Sequence, residues 1–307
     1  MKVLLTGGSG FIGRHVLRAL QQHAIPTVLA GRQKPAGIGD AQFIACDLLD
    51  ASSHQALVQA AAATHLLHLA WVTDPDVYWS SPVNLSWVHA SVQLVQSFCA
   101  TAGKHVVVAG SCAEYDWTHS PCHETQTPLL AQTLYGVAKD ATRRLIEAVC
   151  AQHGVRCAWA RIFFPFGPGE DARRLVPSVI RALQGQSAPF GVNAQTARDF
   201  LHVADVASGL LALVQAPATG SYNLCSGAPV RIGDLVCELA RLLQRDPSPV
   251  LAQASSRPPG PPLLSGDNTR LRSLGWRVEN TMSDALALTI RAGMATNHHN
   301  FVATHVG

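Results

Sequence analysis

The apolar run at residues 2–6 passes straight into Gly7-Gly8-Ser9-Gly10-Phe11-Ile12-Gly13, and Arg14-His15-Val16-Leu17 then begins a helical pattern. A strand that breaks at a glycine turn and resumes as a helix constrains the fold strongly: the strand is buried, and a helix amino terminus stands behind the turn. Glycines at 7, 10 and 13 let the backbone approach another group closely, and the helix start offers unpaired N–H groups and a positive dipole end to an anion. Pyrophosphate is the anion that such a turn holds, so a dinucleotide is the expected ligand.

Further β-rich runs at 27–30, 42–45, 65–70, 105–109 and 156–162 are separated by helical patterns at 11–23, 53–62, 83–102 and 134–153. This alternation predicts an α/β protein with a parallel sheet covered on both faces. Gly103 and Gly154 mark the carboxyl ends of the two long helices. After residue 163 the rhythm changes. Residues 163–169 read as a loop, helices are expected near 173–184, 203–215 and 231–244, and Arg257-Pro-Pro-Gly-Pro-Pro262 reads as a surface or cleft loop. The resulting division is a sheet domain at 1–163, with 189–220 returning to it. A smaller lobe comes from 164–188 and 221–300, and 301–307 forms a tail containing no site, like the nearby His298-His299 pair.

Among 307 residues, 48% hydrophobic and 14% charged content describes a well-buried globular chain. A net charge of +3 without runs of like charge argues against a nucleic-acid partner, and no apolar run is long enough to span a membrane. The first strand begins at residue 2, leaving no room for a leader, so a cytoplasmic location is expected. The eight cysteines include no Cys-x-x-Cys pair. They read as buried small apolar residues in a reducing compartment, and no metal site is expected.

Tyr135-Gly-Val-Ala-Lys139 carries the chemistry. Positions i and i+4 share one helix face, which brings a lysine ammonium near a phenol. Lowering a phenol pKa from ~10 to ~7 requires about 4 kcal/mol, and a unit charge about 4 Å away in an effective dielectric near 20 supplies a similar amount.

Thr6-Gly7-x-x-Gly10-x-x-Gly13 together with Tyr135-x-x-x-Lys139 resembles the extended short-chain dehydrogenase/reductase family, over nearly the whole chain. The resemblance implies a Rossmann-type doubly wound sheet with a substrate-binding lobe formed from carboxyl-terminal segments. It also implies a third catalytic residue, Ser111 in Gly110-Ser111-Cys112-Ala113-Glu114, which would hydrogen-bond the reacting oxygen. By the same likeness Gly7, Gly10, Phe11, Ile12, Gly13, Asp47, Leu48, Leu69, Ala70, Tyr135 and Lys139 would contact the cofactor, and Asn84 could be a structural asparagine. Arg198, in Arg198-Asp199-Phe200-Leu201-His202 with Asp205, and Arg257 would pair with a substrate diphosphate, for which a guanidinium fork is suited. Cys112 and Phe164 would line the substrate side. Cys112 has no histidine partner that would make it a nucleophile. Phe164 stands where many relatives carry an asparagine, which implies a different sugar pose.

The second strand ends in Gly31-Arg32, with Lys34 close behind and no carboxylate. An acid there would bind the ribose 2′-hydroxyl of NAD, whereas an arginine suits a 2′-phosphate, so NADP(H) is favoured with NAD(H) left open. Dehydratases of the family place an Asp-Glu pair directly after the serine or threonine. This chain has Cys112-Ala113, and strand alternation would turn Glu114 to the opposite face. The expected activity is NADPH-dependent reduction of a 4-keto carbon on a nucleotide-diphosphate-linked deoxysugar. The alternatives are a C4 epimerase with tightly held NAD, a reductase of phosphate-free ketones, which Arg198 and Arg257 oppose, and a non-catalytic dinucleotide sensor. The helices at 83–102 and 134–153 are long enough for a four-helix interface, as in the family's homodimers.

Overall fold

The computed structural model describes residues 1–256 and 260–303, with side chains described through residue 293. The sheet domain runs β1 (Val3–Thr6), α1 (Phe11–Gln22), β2 (Thr27–Gly31), β3 (Gln42–Ala45), α2 (His54–Ala61), β4 (His65–His68), α3 (Val83–Cys99), β5 (His105–Ser111), α4 (Leu134–Gln152) and β6 (Arg156–Ile162). Then come β7 (Phe164–Phe166), α5 (Leu175–Leu183), β8 (Ala197–Arg198), β9 (Phe200–His202), α6 (Val203–Gln215) and β10 (Gly220–Leu224). The chain continues through β11 (Val230–Arg231), α7 (Ile232–Leu243), α8 (Ser248–Leu251), β12 (Leu263–Leu264), α9 (Thr269–Arg272) and α10 (Met282–Ala303).

Seven strands form one parallel sheet in the order β10-β6-β5-β4-β1-β2-β3, a Rossmann-like α/β architecture. All four residues of β1 are buried, because helices cover both faces and leave no polar side for alternation to mark. One face packs Val16, Leu17 and Leu20 of α1 against Val206, Leu210 and Leu213 of α6. On the other, α2, α3 and α4 contribute Leu57, Val58, Leu94, Phe98 and Ile146. A separate cluster packs Val176 and Val179 of α5 with Leu235 and Leu239 of α7 and Leu286 of α10.

Several details depart from the sequence expectation. Strand β10 pairs with β6, Ser221 opposite Trp159 and Tyr222 opposite Ala160, so residues 221–224 lie in the main sheet instead of the lobe. Its β character comes from that pairing more than from Gly-Ser-Tyr-Asn-Leu itself. The expected loop at 163–169 contains β7, which pairs in parallel with β9. Helix α3 ends at Cys99, before Gly103, where a Cβ would stand 2.6 Å from the Phe98 ring. Gly154 does follow α4, with φ +65°. Helix α10 extends through residues 298–299 into the expected tail, in an alanine-containing run with good helix propensity. Seven cysteines are buried and Cys237 is exposed. Among the described residues no helix is long and apolar enough to cross a membrane, and no cluster of His, Cys, Asp and Glu is arranged to hold a metal.

Candidate active site

The glycine turn forms a close-packed cradle at the carboxyl end of β1. Gly7 has φ +72°, and a Cβ there would lie 2.7 Å from Ala70 N, so the segment after β4 with Leu69 and Ala70 lies directly against the turn. A Cβ on Gly13 would stand 2.0 Å from Gly7 O. Gly10 caps α1 without a side-chain hydrogen bond, and Phe11 and Ile12 begin the helix. This helix start, whose first N–H groups no side chain caps and which has Leu69 and Ala70 beside Gly7, fits a dinucleotide pyrophosphate. Arg32 is exposed just beyond β2, next to exposed Lys34, and forms no ion pair among the described residues. Asp47 is exposed, with Oδ1 accepting from Leu49 N at 3.1 Å, and Leu48 is buried.

Ser111 ends β5, in register with Ile162 of β6. Tyr135 opens α4, whose amino end is capped by Thr133 Oγ1 accepting from Gly136 N. The Ser111 hydroxyl comes within hydrogen-bonding influence of the Tyr135 phenol. Burial pushes that phenol above its ordinary value, and Ser111 works in the opposite direction. Lys139 lies one turn along, 4% exposed; burial pushes its ammonium down to about 7, partly opposed by the charge of Glu114. Lys139 Nζ donates to Ala109 O at 2.9 Å and lies 3.8 Å from the centre of a Trp71 ring, against 5.9 Å from that of Tyr135. The three residues therefore converge, but the ammonium sits between a strand carbonyl and an indole instead of against the phenol.

Glu114 does not continue the strand alternation. After Ser111 the chain turns through a short 3-10 helix at Cys112–Glu114, closed by a capping box. Ser111 Oγ accepts from Ala113 N at 3.2 Å, and Glu114 Oε1 accepts from Ser111 N at 2.8 Å. The fully buried carboxylate also accepts from Trp159 Nε1 at 2.9 Å, while Arg161 Nε donates to Oε2 at 2.7 Å. Arg161 Nη1 donates to Tyr115 OH at 3.0 Å, and Tyr115 OH donates to Asn223 Oδ1 at 2.7 Å. The serine turn is thereby tied to β6 and β10, and Glu114 is committed to structure.

Of the residues expected to face a substrate, Arg198 donates from Nη1 to Ala197 O and Pro261 O, both at 2.8 Å, and its guanidinium lies 5.8 Å from the Phe164 ring centre. It forms no ion pair among the described residues and is close enough to Cys112 for the two to interact electrostatically. Buried Cys112 has its thiol pushed up by burial, consistent with a packing role. Asp199 is buried and accepts from Ser226 N at 2.7 Å, Gly227 N at 3.1 Å and Gly266 N at 3.2 Å, fixing the strand that presents Arg198. Arg257 lies outside the described residues.

Asn84 is fully buried, its Nδ2 donating to Tyr78 O at 2.7 Å and Ser81 O at 2.8 Å while Oδ1 accepts from Trp71 Nε1 at 2.8 Å. It organises the loop from Trp71 to Ser81, which sequence reasoning passed over. Tyr78 and Trp79 meet the Tyr135 ring edge-on, with centroids at 4.9 and 5.7 Å, and Trp79 also meets Trp117 at 6.2 Å. The signal available was the density of aromatics at 71, 78, 79, 87 and 117 in a chain only 6% aromatic.

Comparison with known proteins accords with this geometry. A profile of the NAD dependent epimerase/dehydratase family matches residues 3–225. The chain is 28% identical to UDP-glucose 4-epimerase of Azospirillum brasilense over 318 residues, covering 93% of this chain and 89% of that one. It is 27% identical to GDP-6-deoxy-D-mannose reductase of Pseudomonas aeruginosa over 313 residues, covering 93% and 94%. Among solved structures, MoeE5 in complex with UDP-glucose and NAD superposes with a TM-score of 0.82 at 26% identity, covering 97% of this chain and 100% of that one. With its Rossmann-like sheet, its glycine cradle and a profile match spanning most of its length, the chain belongs to the NAD dependent epimerase/dehydratase family.

Proposed function

We propose that this protein is an NADP(H)-dependent reductase acting on the 4-keto carbon of a nucleotide-diphosphate-linked deoxysugar. The observation that carries the reading is the convergence of Ser111, Tyr135 and Lys139 at the carboxyl ends of the strands, beside a turn that fits a pyrophosphate. The dinucleotide, when bound, supplies the hydride to the sugar carbon. Gly7, Gly10, Gly13 and the α1 amino terminus would hold its pyrophosphate, with Leu69 and Ala70 as the wall. Exposed Arg32, free of ion pairs among the described residues, supports a 2′-phosphate and hence NADP(H).

Tyr135 donates the proton to the sugar oxygen, and burial keeps its phenol protonated until that oxygen gains charge. Ser111 orients the oxygen. Lys139 places positive charge near the phenolate that forms. Elimination of water is disfavoured because Cys112 and Ala113 carry no carboxylate and Glu114 is held by Arg161 and Trp159. Arg198, backed by Phe164 and in no ion pair among the described residues, would take the substrate diphosphate.

The test is NADPH oxidation with nucleotide-linked 4-keto-6-deoxyhexoses, alongside thermal shifts with each dinucleotide. Tyr135→Phe should abolish turnover while leaving NADPH binding nearly unchanged. NAD retained through gel filtration, together with interconversion of C4 epimers, would replace the reductase with the epimerase that the same three residues support. Full activity in Tyr135→Phe would remove the mechanism itself.

A further inference from the structure

We propose that Trp71 is a positioning residue, holding the Lys139 ammonium in place beside Tyr135 with its indole face in the role that a carboxylate would otherwise fill. The inference rests on the reading of Lys139 as part of the active site and adds a residue that this reading does not require. Lys139 Nζ is buried, and no carboxylate lies within ion-pair distance of it among the described residues. A buried ammonium without a partner is unfavourable. Its protein contacts among the described residues are Ala109 O at 2.9 Å and the Trp71 ring at 3.8 Å, well within the range of a cation over an aromatic face, with the Tyr135 ring farther off at 5.9 Å.

The indole is itself held in place. Trp71 Nε1 donates to Asn84 Oδ1 at 2.8 Å, Asn84 is tied to Tyr78 O and Ser81 O, and the ring stacks on Trp87 with centroids 6.1 Å apart and planes at 28°. Trp71 cannot turn away without losing its N–H bond in a part-buried site. The other groups facing Lys139 are few. From the turn after β5 comes Glu114, whose carboxylate is committed to Arg161 and Trp159. From β4 comes His68, pushed down to about 3 by burial and held between Thr6 Oγ1 and Ser91 Oγ, so it is neutral. From α4 itself comes Tyr135.

This choice of partner has a chemical consequence. A carboxylate against Lys139 would cancel its charge, whereas an indole face attracts the ammonium and leaves the net positive charge in the site. That potential stays available to the phenolate that develops on Tyr135. The arrangement suits a lysine that must stabilise a transient anion more than form a permanent ion pair.

The chain has four lysines, at 2, 34, 104 and 139, so protein carrying lysine labelled with 13C at Cε gives few signals, and Lys139→Met identifies the one of interest. Protons over an aromatic face are shielded, so the Lys139 ε-protons should resonate upfield of the other three lysines. In Trp71→Leu that signal should join the others, and its titration midpoint should fall by about one unit, because the charged form loses its partner. Trp71→Phe keeps a smaller aromatic face and should restore part of both effects. The descending limb of kcat/KM against pH should move in the same direction. The proposal is overturned if the wild-type signal is not shifted upfield, if Trp71→Leu leaves its position and midpoint unchanged, or if Trp71→Phe behaves like Trp71→Leu. The spectra need no substrate: absent turnover with an upfield Lys139 signal counts against the reaction, and an unshifted signal in an active enzyme counts against Trp71.

Discussion

Replacing Arg161 with methionine strands the Glu114 carboxylate in a site from which water is excluded. The two side chains are 1% and 0% exposed and meet at 2.7 Å. Removing one partner of such a pair costs about 3–5 kcal/mol, because the remaining charge stays buried without compensation. Glu114 would retain Ser111 N and Trp159 Nε1 as donors, which places the expected loss toward the middle of that range, at about 4 kcal/mol. With an unfolding entropy of roughly 2.1 cal/mol/K per residue over 307 residues, that loss lowers Tm by about 6 °C. Urea unfolding followed by circular dichroism gives the free energy directly. The double variant Glu114→Gln/Arg161→Met leaves no charge behind and should be more stable than Arg161→Met alone by at least about 1 kcal/mol. The reasoning fails if Arg161→Met costs less than about 1 kcal/mol, or if the double variant is the less stable of the two.

Arg32→Asp should move the ratio of kcat/KM values from NADPH toward NADH; an unchanged ratio would remove Arg32 from the 2′-phosphate site. Glu170 follows β7, and burial pushes its carboxyl up to about 8, with Oε2 finding no hydrogen-bond partner among the described residues. Its folded value lies above the ordinary one, so the native state holds the extra proton between them, and stability falls as pH rises through about 8. Glu170→Gln should flatten that fall in a series of thermal melts, and an unchanged slope would show that Glu170 does not titrate there.

The parts of the site legible in the sequence are those built from local periodicity. Tyr135 and Lys139 share a helix face whatever the rest of the chain does, and Gly7 to Gly13 form a turn within a single strand–helix unit. Ser111 came from the family resemblance, and its place at the end of β5 agrees with it. What was not legible depends on register between distant segments. Arg161 reaches Glu114 because it lies opposite Gly110 across the β5–β6 pair, a relation that spacing along the chain does not encode. The position of Lys139 had the same difficulty: helix spacing brought it near Tyr135, but Trp71, from the loop after β4, sets where its ammonium rests. Glu114 misled for a different reason, since the period-two rule held only as far as Ser111, where the capping box turned the backbone into a 3-10 helix.

The late return of the chain to the sheet governs how the molecule can assemble. Strand β6 borders β5 on one side and has β10 on the other, so until residue 224 arrives, one edge of β6 carries unpaired N–H and C=O groups. The face of α1 built from Val16, Leu17 and Leu20 likewise waits for α6, which lies between 203 and 215. A nascent chain ending at Ile162 therefore contains Tyr135 and Lys139 but presents an open sheet edge and an uncovered apolar layer. β7, α5, β8 and β9 all lie in this gap in sequence, so the contacts that close the sheet are ones of long sequence separation.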